Sequence, residues 1–144
     1  MPRARMLSRS ASRVRYHGLA MTGSFREFEV GPDPLGKMWR VRFLWLQTAV
    51  AIRHSDTVDV KFLLSNGTRE VERIVALPHS DLVRLSERNG CLLTDPWCMK
   101  LAALHIVHMI ETGEDVEKTL VPLTAEQLAA RAAELGATST VLPA

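Results

Sequence analysis

The dipeptide Asn66-Gly67 is the feature of this 144-residue sequence that most restricts its fold. It separates two runs in which apolar residues alternate with polar ones, TVDVKFLLS (57–65) and TREVERIVAL (68–77). Both residues tolerate the positive φ angles that a two-residue type I′ turn requires. The segment therefore predicts a β-hairpin with its loop at 66–67.

This loop fixes a register that sorts the hairpin into two faces. The predicted cross-strand pairs are Ser65–Thr68, Phe62–Val71 and Val58–Val75. The apolar face then holds Val58, Val60, Phe62, Leu64, Val71 and Val75. Lys61 lies opposite Glu72 on the polar face, which is a favourable pair. Arg73 falls on the apolar face opposite Val60, and this misfit predicts either a bulge or a side chain whose charged end reaches the rim of the sheet.

Two segments before the hairpin also have strand character. The segment KMWRVRFLWLQTAVAIR (37–53) alternates so that one face receives Trp39, Val41, Phe43 and Trp45. From Leu44 onward the second face is apolar as well, which indicates a strand covered on both sides. The segment SFREFEV (24–30) precedes a Gly/Pro-rich turn, GPDPLG, and predicts a short edge strand.

Capping signals after the hairpin predict about three helices. The expected N-cap and terminating glycine are Ser80 and Gly90 for the first helix, Asp95 and Gly113 for the second, and Thr124 and Gly136 for the third. Thr124 and Gln127 have the spacing of a capping box. The predicted fold is α+β, an antiparallel meander of three to four strands (about 24–77) followed by helices packed on one face of the sheet.

The first 22 residues differ in composition from the rest. Residues 1–26 contain six arginines and no acidic residue, which leaves 12 basic against 16 acidic residues in the remainder. Segment 1–22 is therefore predicted to be a poorly ordered basic extension, and 23–144 a single domain. Three origins stay open for the extension: a transit peptide, a phosphate-binding arm, or a start site assigned upstream of Met21.

The stretch LHIVHMIE holds the candidate metal ligands His105 and His108. Residues three apart on a helix are about 5–6 Å apart at Cβ, so both imidazoles can approach one zinc-like ion. Glu111 lies about 120° around the helix from His105 and suits His108 better than the pair. The third ligand would have to come from His54, His79 or Cys91. No other cofactor is expected.

The same helix, 96–112, has one uniformly apolar half and one mixed half. Polar residues of the mixed half interrupt Trp97, Leu101 and Leu104, which indicates partial cover by another helix or by a partner chain. The predicted interaction surface, for a protein partner or a homodimer, consists of Trp97, Leu101, Leu104, His108 and Glu111. Cys98 is a reactive-thiol candidate, because the first turn of a helix lowers a thiol pKa when the sulfur is exposed.

These features favour a small, soluble, non-catalytic binding or regulatory module in the cytoplasm, or in an organelle if 1–22 is a transit peptide. No glycine-rich phosphate loop, GxSxG, HExxH or CxxC motif is found. No apolar run approaches the roughly 18 residues that cross a bilayer, so no membrane partner is expected. A metal-assisted enzyme centred on His105 and His108 is the first alternative. Nucleic-acid binding through the arginine-rich tail is the second, and the mildly acidic remainder of the chain argues against it.

Overall fold

The computed structural model describes residues 13–16, 19–49 and 56–138, with side chains described over 24–49 and 56–136. Within these residues, seven strands form one sheet in sequence order. The strands are β1 (Arg13–Tyr16), β2 (Leu19–Ser24), β3 (Glu27–Val30), β4 (Trp39–Ala49), β5 (Thr57–Ser65), β6 (Glu70–Pro78) and β7 (Leu120–Pro122). The helices are α1 (His79–Asn89), α2 (Asp95–Thr112) and α3 (Ala125–Thr138).

The predicted α+β class is confirmed. Strands β1 to β6 form an antiparallel meander, and helices α1 and α2 follow it directly. The sheet has more strands than the three or four predicted, because β1 and β2 precede β3 and because β7 returns after α2 and pairs parallel to β6. Strands β1 and β2 lie partly within the predicted extension 1–22, of which 1–12 and 17–18 are outside the described residues. A domain boundary at residue 22 stays a prediction.

Helix α2 is the centre of the core. It packs against β3 to β6 on one side and against α3 on the other, while α1 contacts β6 and α3. The sheet contributes Val58, Val60, Phe62 and Leu64 from β5, each no more than 6% exposed, so the predicted apolar face of this strand is confirmed. On the opposite face of the sheet, Trp45, Leu63 and Ile74 are half-buried.

The hairpin has a four-residue loop, Asn66 to Arg69, and not the predicted two-residue turn. The side-chain Oδ1 of Asn66 accepts hydrogen bonds from the amides of Thr68 (3.1 Å) and Arg69 (2.8 Å), an arrangement that favours the longer loop. Ser65 consequently pairs with Glu70, and every predicted pair is displaced by two residues. A displacement of two preserves the faces, because side chains alternate with a period of two.

A bulge in β4 overturns one predicted face. Phe43 pairs with Phe62 and Trp45 pairs with Lys61, so Leu44 is an extra residue on this strand. The insertion turns Trp45 to the face opposite Phe43, where the Lys61 ammonium lies 5.5 Å from its ring centroid. The prediction that Trp45 shares the face of Phe43 is wrong. Lys61 also forms an ion pair with Glu72 at 2.6 Å, diagonally across the β5–β6 pair.

The helix starts were predicted to within one or two residues. α1 begins at His79 after Pro78, with no side-chain cap from Ser80. The cap of α2 is Thr94, and not Asp95, since the Thr94 hydroxyl accepts a hydrogen bond from the Trp97 amide at 3.3 Å. The capping box of α3 is confirmed: the Thr124 amide donates to Gln127 Oε1 and the Gln127 amide to Thr124 Oγ1.

Candidate functional site

The two predicted metal ligands lie on α2 with their rings stacked, the centroids 5.5 Å apart. His105 is 1% exposed, and its Nδ1 is buried without a hydrogen-bond partner in the described part of the chain. His108 is half-buried, and its Nε2 lies 3.0 Å from a carboxylate oxygen of Glu114. The acidic partner of His108 is therefore Glu114, in the turn after the helix, and not Glu111.

The surroundings of this pair oppose a cation. Burial, followed by the positive charge of Arg131 and by His108, lowers the pKa of His105 to about 4. A metal ion near the ring of His105 would meet the same repulsion from Arg131. The described residues contain no group of three or more His, Cys, Asp or Glu side chains arranged to hold a metal. His54 lies outside the described residues, so a metal site at His105 and His108 stays a prediction.

Cys98 lies at the start of α2 but is only 2% exposed. Burial, with the nearby charge of Asp95, raises the pKa of the Cys98 thiol to about 12. A thiol with such a pKa is a poor nucleophile at neutral pH. Burial therefore removes the solvent access on which the prediction of a reactive thiol depends.

The predicted interaction surface is largely covered within the chain itself. Leu101 and Leu104 are at most 1% exposed, and α3 packs on α2. These two leucines are thus part of the core and not of a free surface. Trp97, His108 and Glu111 are half-buried. A partner that contacts these three residues stays a prediction.

A cavity that the sequence did not predict lies between the loop 31–38 and the turn 113–118. Its volume is about 270 Å³. Its apolar wall is formed by Pro34, Leu35, Trp39, Leu64, Val71, Ile110 and Val116, and its charged groups are Asp33, Arg69, Arg73 and Glu117. Apolar walls with a few convergent polar groups are the usual composition of a small-molecule site.

Asp33 organises the loop 31–38 that covers this cavity. One of its carboxylate oxygens accepts hydrogen bonds from the amides of Leu35 (2.9 Å) and Lys37 (2.8 Å). The other accepts the indole N–H of Trp39 at 2.9 Å. The Trp39 bond lowers the pKa of Asp33 most, and the two amides act in the same direction. Both oxygens of Asp33 are thus engaged in holding the loop.

Two glycines allow the loop to lie close to its neighbours. Gly31 has a φ of +144°, and a Cβ there would be 2.9 Å from the Lys37 carbonyl oxygen. Gly113, with a φ of +76°, ends α2, and a Cβ there would be 3.2 Å from the ring of Pro34. A side chain at either position would strain the backbone and crowd the loop. The roof of the cavity is therefore fixed by both segments.

Arg73 is the most buried charged group of the cavity, at 7% exposure. Its Nε donates to the carbonyl of Val116 at 2.7 Å, and its Nη1 donates to the carbonyl of Glu72 at 2.8 Å. Burial, followed by the like charge of Arg69, lowers its pKa, while Glu117 acts in the opposite direction. Arg73 thus does occupy the apolar face, as predicted, and it borders the cavity there opposite Phe62.

No family model, curated protein or solved structure matches the chain. None of the helices in the described part of the chain has the length and apolar character needed to cross a bilayer.

The sequence contained one signal of this cavity, the misplaced Arg73. Its partner could not be inferred, because the Val116 carbonyl is 43 residues away in the chain. The segment GPDPLG (31–36) reads only as a turn, since nothing local shows that it covers Arg73. The cavity forms where β6, the loop 31–38 and the end of α2 meet, which is a tertiary property.

Proposed function

We propose that this protein is a small binding module that holds a small, largely apolar molecule in the cavity beneath the loop 31–38. The observation that carries the proposal is the cavity itself, about 270 Å³ in volume, with an apolar wall and a buried arginine. Pockets of this size and composition bury most of the surface of a small ligand. The proposal keeps the binding role predicted from the sequence and moves it from the mixed face of helix 96–112 to the cavity at the end of that helix.

Exposed apolar side chains at the rim of the cavity are suited to contact a bound molecule. Leu35 is 85% exposed on the loop and Val116 is 36% exposed on the facing turn, and both line the cavity. Apolar side chains of this size at the mouth of an apolar cavity gain from covering a ligand. The loop and the turn together are thus suited to contact a molecule that enters between them.

A second depression on the surface is less suited to bind a small molecule. It has a volume of about 700 Å³ and lies between the segment 89–100 and α3, where Cys91, Leu92 and Trp97 line it. Its lining reaches Gly136, two residues before the described part of the chain ends. Among the described residues that line it, Lys100 alone is charged, and it is half-buried. The cavity beneath the loop combines a buried charge with a defined roof.

The test is a titration of the ¹⁵N-labelled full chain with hexanamide and, separately, with hexanoate. Binding in the cavity shifts the indole N–H resonance of Trp39 and the amide of Gly113. Val71→Phe, which fills the cavity, abolishes these shifts. The matched control is Val83→Phe on α1, another half-buried valine, which retains them. The absence of Trp39 shifts with both probes at millimolar concentration would overturn the proposed function.

A further inference from the structure

We infer that the ligand carries a carboxylate, held between the guanidinium groups of Arg73 and Arg69 while its apolar remainder lies on Leu64, Val71 and Ile110. This inference rests on the proposed function and adds the chemical class of the ligand. The evidence for it is the set of charged residues that line the cavity, together with the hydrogen bonds that these residues already form.

Arg73 has unused hydrogen-bonding capacity. A guanidinium offers five N–H donors, and the carbonyls of Val116 and Glu72 account for two of them. No carboxylate in the described part of the chain forms an ion pair with it. A buried charge that is compensated only by carbonyl dipoles gains strongly from an anion at hydrogen-bond distance. Because Arg73 lines the cavity, an anion bound inside the cavity is the one that fits its remaining donors.

Arg69 adds a second positive group to the same space. It lies in the hairpin loop, its side chain lines the cavity, and no described acidic side chain pairs with it. The two like charges repel, which is one cause of the lowered pKa of Arg73. An anion placed between them relieves this repulsion and accepts hydrogen bonds from both. Paired guanidinium groups are the usual protein ligands of carboxylate and phosphate.

The acidic residues of the cavity limit the negative charge that a ligand can carry. Asp33 is already occupied by two amides and by the indole of Trp39. Glu117 lies near enough to raise the pKa of Arg73 but forms no ion pair with it. With two arginines and two carboxylates among the described residues that line it, the cavity is formally neutral. A single negative charge therefore suits the cavity better than the double charge of a phosphate monoester.

The first test compares probes of one shape and different charge on the full chain. Hexanoate and hexanamide differ in the charge of the headgroup, and hexyl phosphate carries a larger anion. We expect hexanoate to bind about tenfold more tightly than hexanamide at low salt, as a charge-assisted hydrogen bond predicts. Hexyl phosphate binds more weakly than hexanoate. Equal affinity for hexanoate and hexanamide, or tighter binding of hexyl phosphate, overturns the inference while leaving the proposed function intact.

The second test uses two cavity variants that are expected to change the affinity for hexanoate in opposite directions. Arg69→Gln lowers the affinity for hexanoate about tenfold and that for hexanamide by less, because the amide headgroup carries no charge. Glu117→Gln raises the affinity for hexanoate severalfold, because it removes a competing negative charge. Both side chains are exposed, so the fold is retained. Arg42→Gln, at an exposed arginine on the opposite face of the sheet, is the matched control. An unchanged ratio of hexanoate to hexanamide affinity in both cavity variants contradicts the inference.

Discussion

Two buried arginines, Arg73 in β6 and Arg131 in α3, have almost the same exposure, 7% and 6%, and opposite surroundings. Arg131 donates to a carboxylate oxygen of Glu134 at 3.1 Å, and its Nε and Nη1 are buried without partners in the described part of the chain. Arg73 donates to two carbonyls and borders a cavity. Arg131 is thus paired with a carboxylate, whereas Arg73 donates its hydrogen bonds to carbonyl oxygens.

The comparison shows that burial alone does not mark a binding site. Arg131 is close enough to His105 to lower the pKa of that imidazole, yet the cluster has its own carboxylate in Glu134. The charge of Arg131 is thus balanced by a carboxylate of its own helix. Arg73 forms no ion pair with a carboxylate of the described residues, and it lines a cavity. The two regions differ in the partner of the arginine, which is a carboxylate for Arg131 and a pair of carbonyls for Arg73, and in the cavity beside Arg73.

The largest expected effect comes from removing the acidic partner of Arg131. Glu134→Gln leaves a buried guanidinium without its carboxylate, so we expect a loss of roughly 3–5 kcal/mol in the free energy of unfolding. The matched variant on the cavity side is Glu117→Gln, which breaks no ion pair and should change stability by less than about 0.5 kcal/mol. Urea unfolding of both variants measures the difference. Similar losses in the two variants would mean that the two arginines are compensated alike.

The second effect is a pH dependence between pH 6.5 and 4 that comes from His105, beside Arg131. His105 has a pKa of about 4 in the folded chain, against an ordinary value of 6.5. The unfolded chain therefore binds a proton that the native chain does not. The contribution of neutral His105 to the free energy of unfolding is fully present above pH 6.5. It falls as the pH drops towards 4 and changes no further below that value. The loss is at most about 3 kcal/mol.

His105→Leu should remove this pH dependence, and it also removes a buried nitrogen that has no partner. The variant is thus expected to match or exceed the stability of the parent chain at pH 5. Urea unfolding between pH 4 and 7 provides the measurement. His79→Gln, at the exposed start of α1, is the control and retains the loss. A variant at His105 that still loses stability over this range would place the titration elsewhere.

The features that depend on neighbouring residues could be predicted from the sequence, and those that depend on distant segments could not. The capping box of Thr124 and Gln127 spans four residues, and it was predicted correctly because its hydrogen bonds join near neighbours. The bulge at Leu44 depends on how β4 meets β5, and no residue pattern within β4 predicts it. The same holds for the site. Arg73 was recognised as a misfit, but its carbonyl partner and the cavity beside it come from segments far along the chain.

A third prediction concerns the roof of the cavity. Gly31→Ala places a Cβ 2.9 Å from the carbonyl oxygen of Lys37 at a φ of +144°, which we expect to cost about 2 kcal/mol. Gly36→Ala is the matched control, because its φ is also positive, at +83°, but a Cβ there meets no atom within 4 Å. Its expected cost is about 1 kcal/mol. Thermal unfolding and hexanamide binding are measured together, and equal effects of the two variants would show that the close approach at Gly31 is unimportant.

The smallest effect tests whether Asp33 acts on the loop and not on the ligand. Its pKa is lowered, chiefly by the indole of Trp39, so its contribution is present above the ordinary value of 3.8 and is lost as the pH falls through the lower folded value. Asp33→Asn keeps one acceptor and removes the charge, with an expected loss of less than about 1 kcal/mol. The Trp39 indole N–H resonance should move upfield as its hydrogen bond weakens, at all pH values above 3.8. Because both oxygens of Asp33 are engaged in the loop, the preference for hexanoate over hexanamide should stay as it is. A changed preference would assign Asp33 to the ligand, and the cavity would then resemble the Arg131 cluster, in which the chain supplies its own counter-charge.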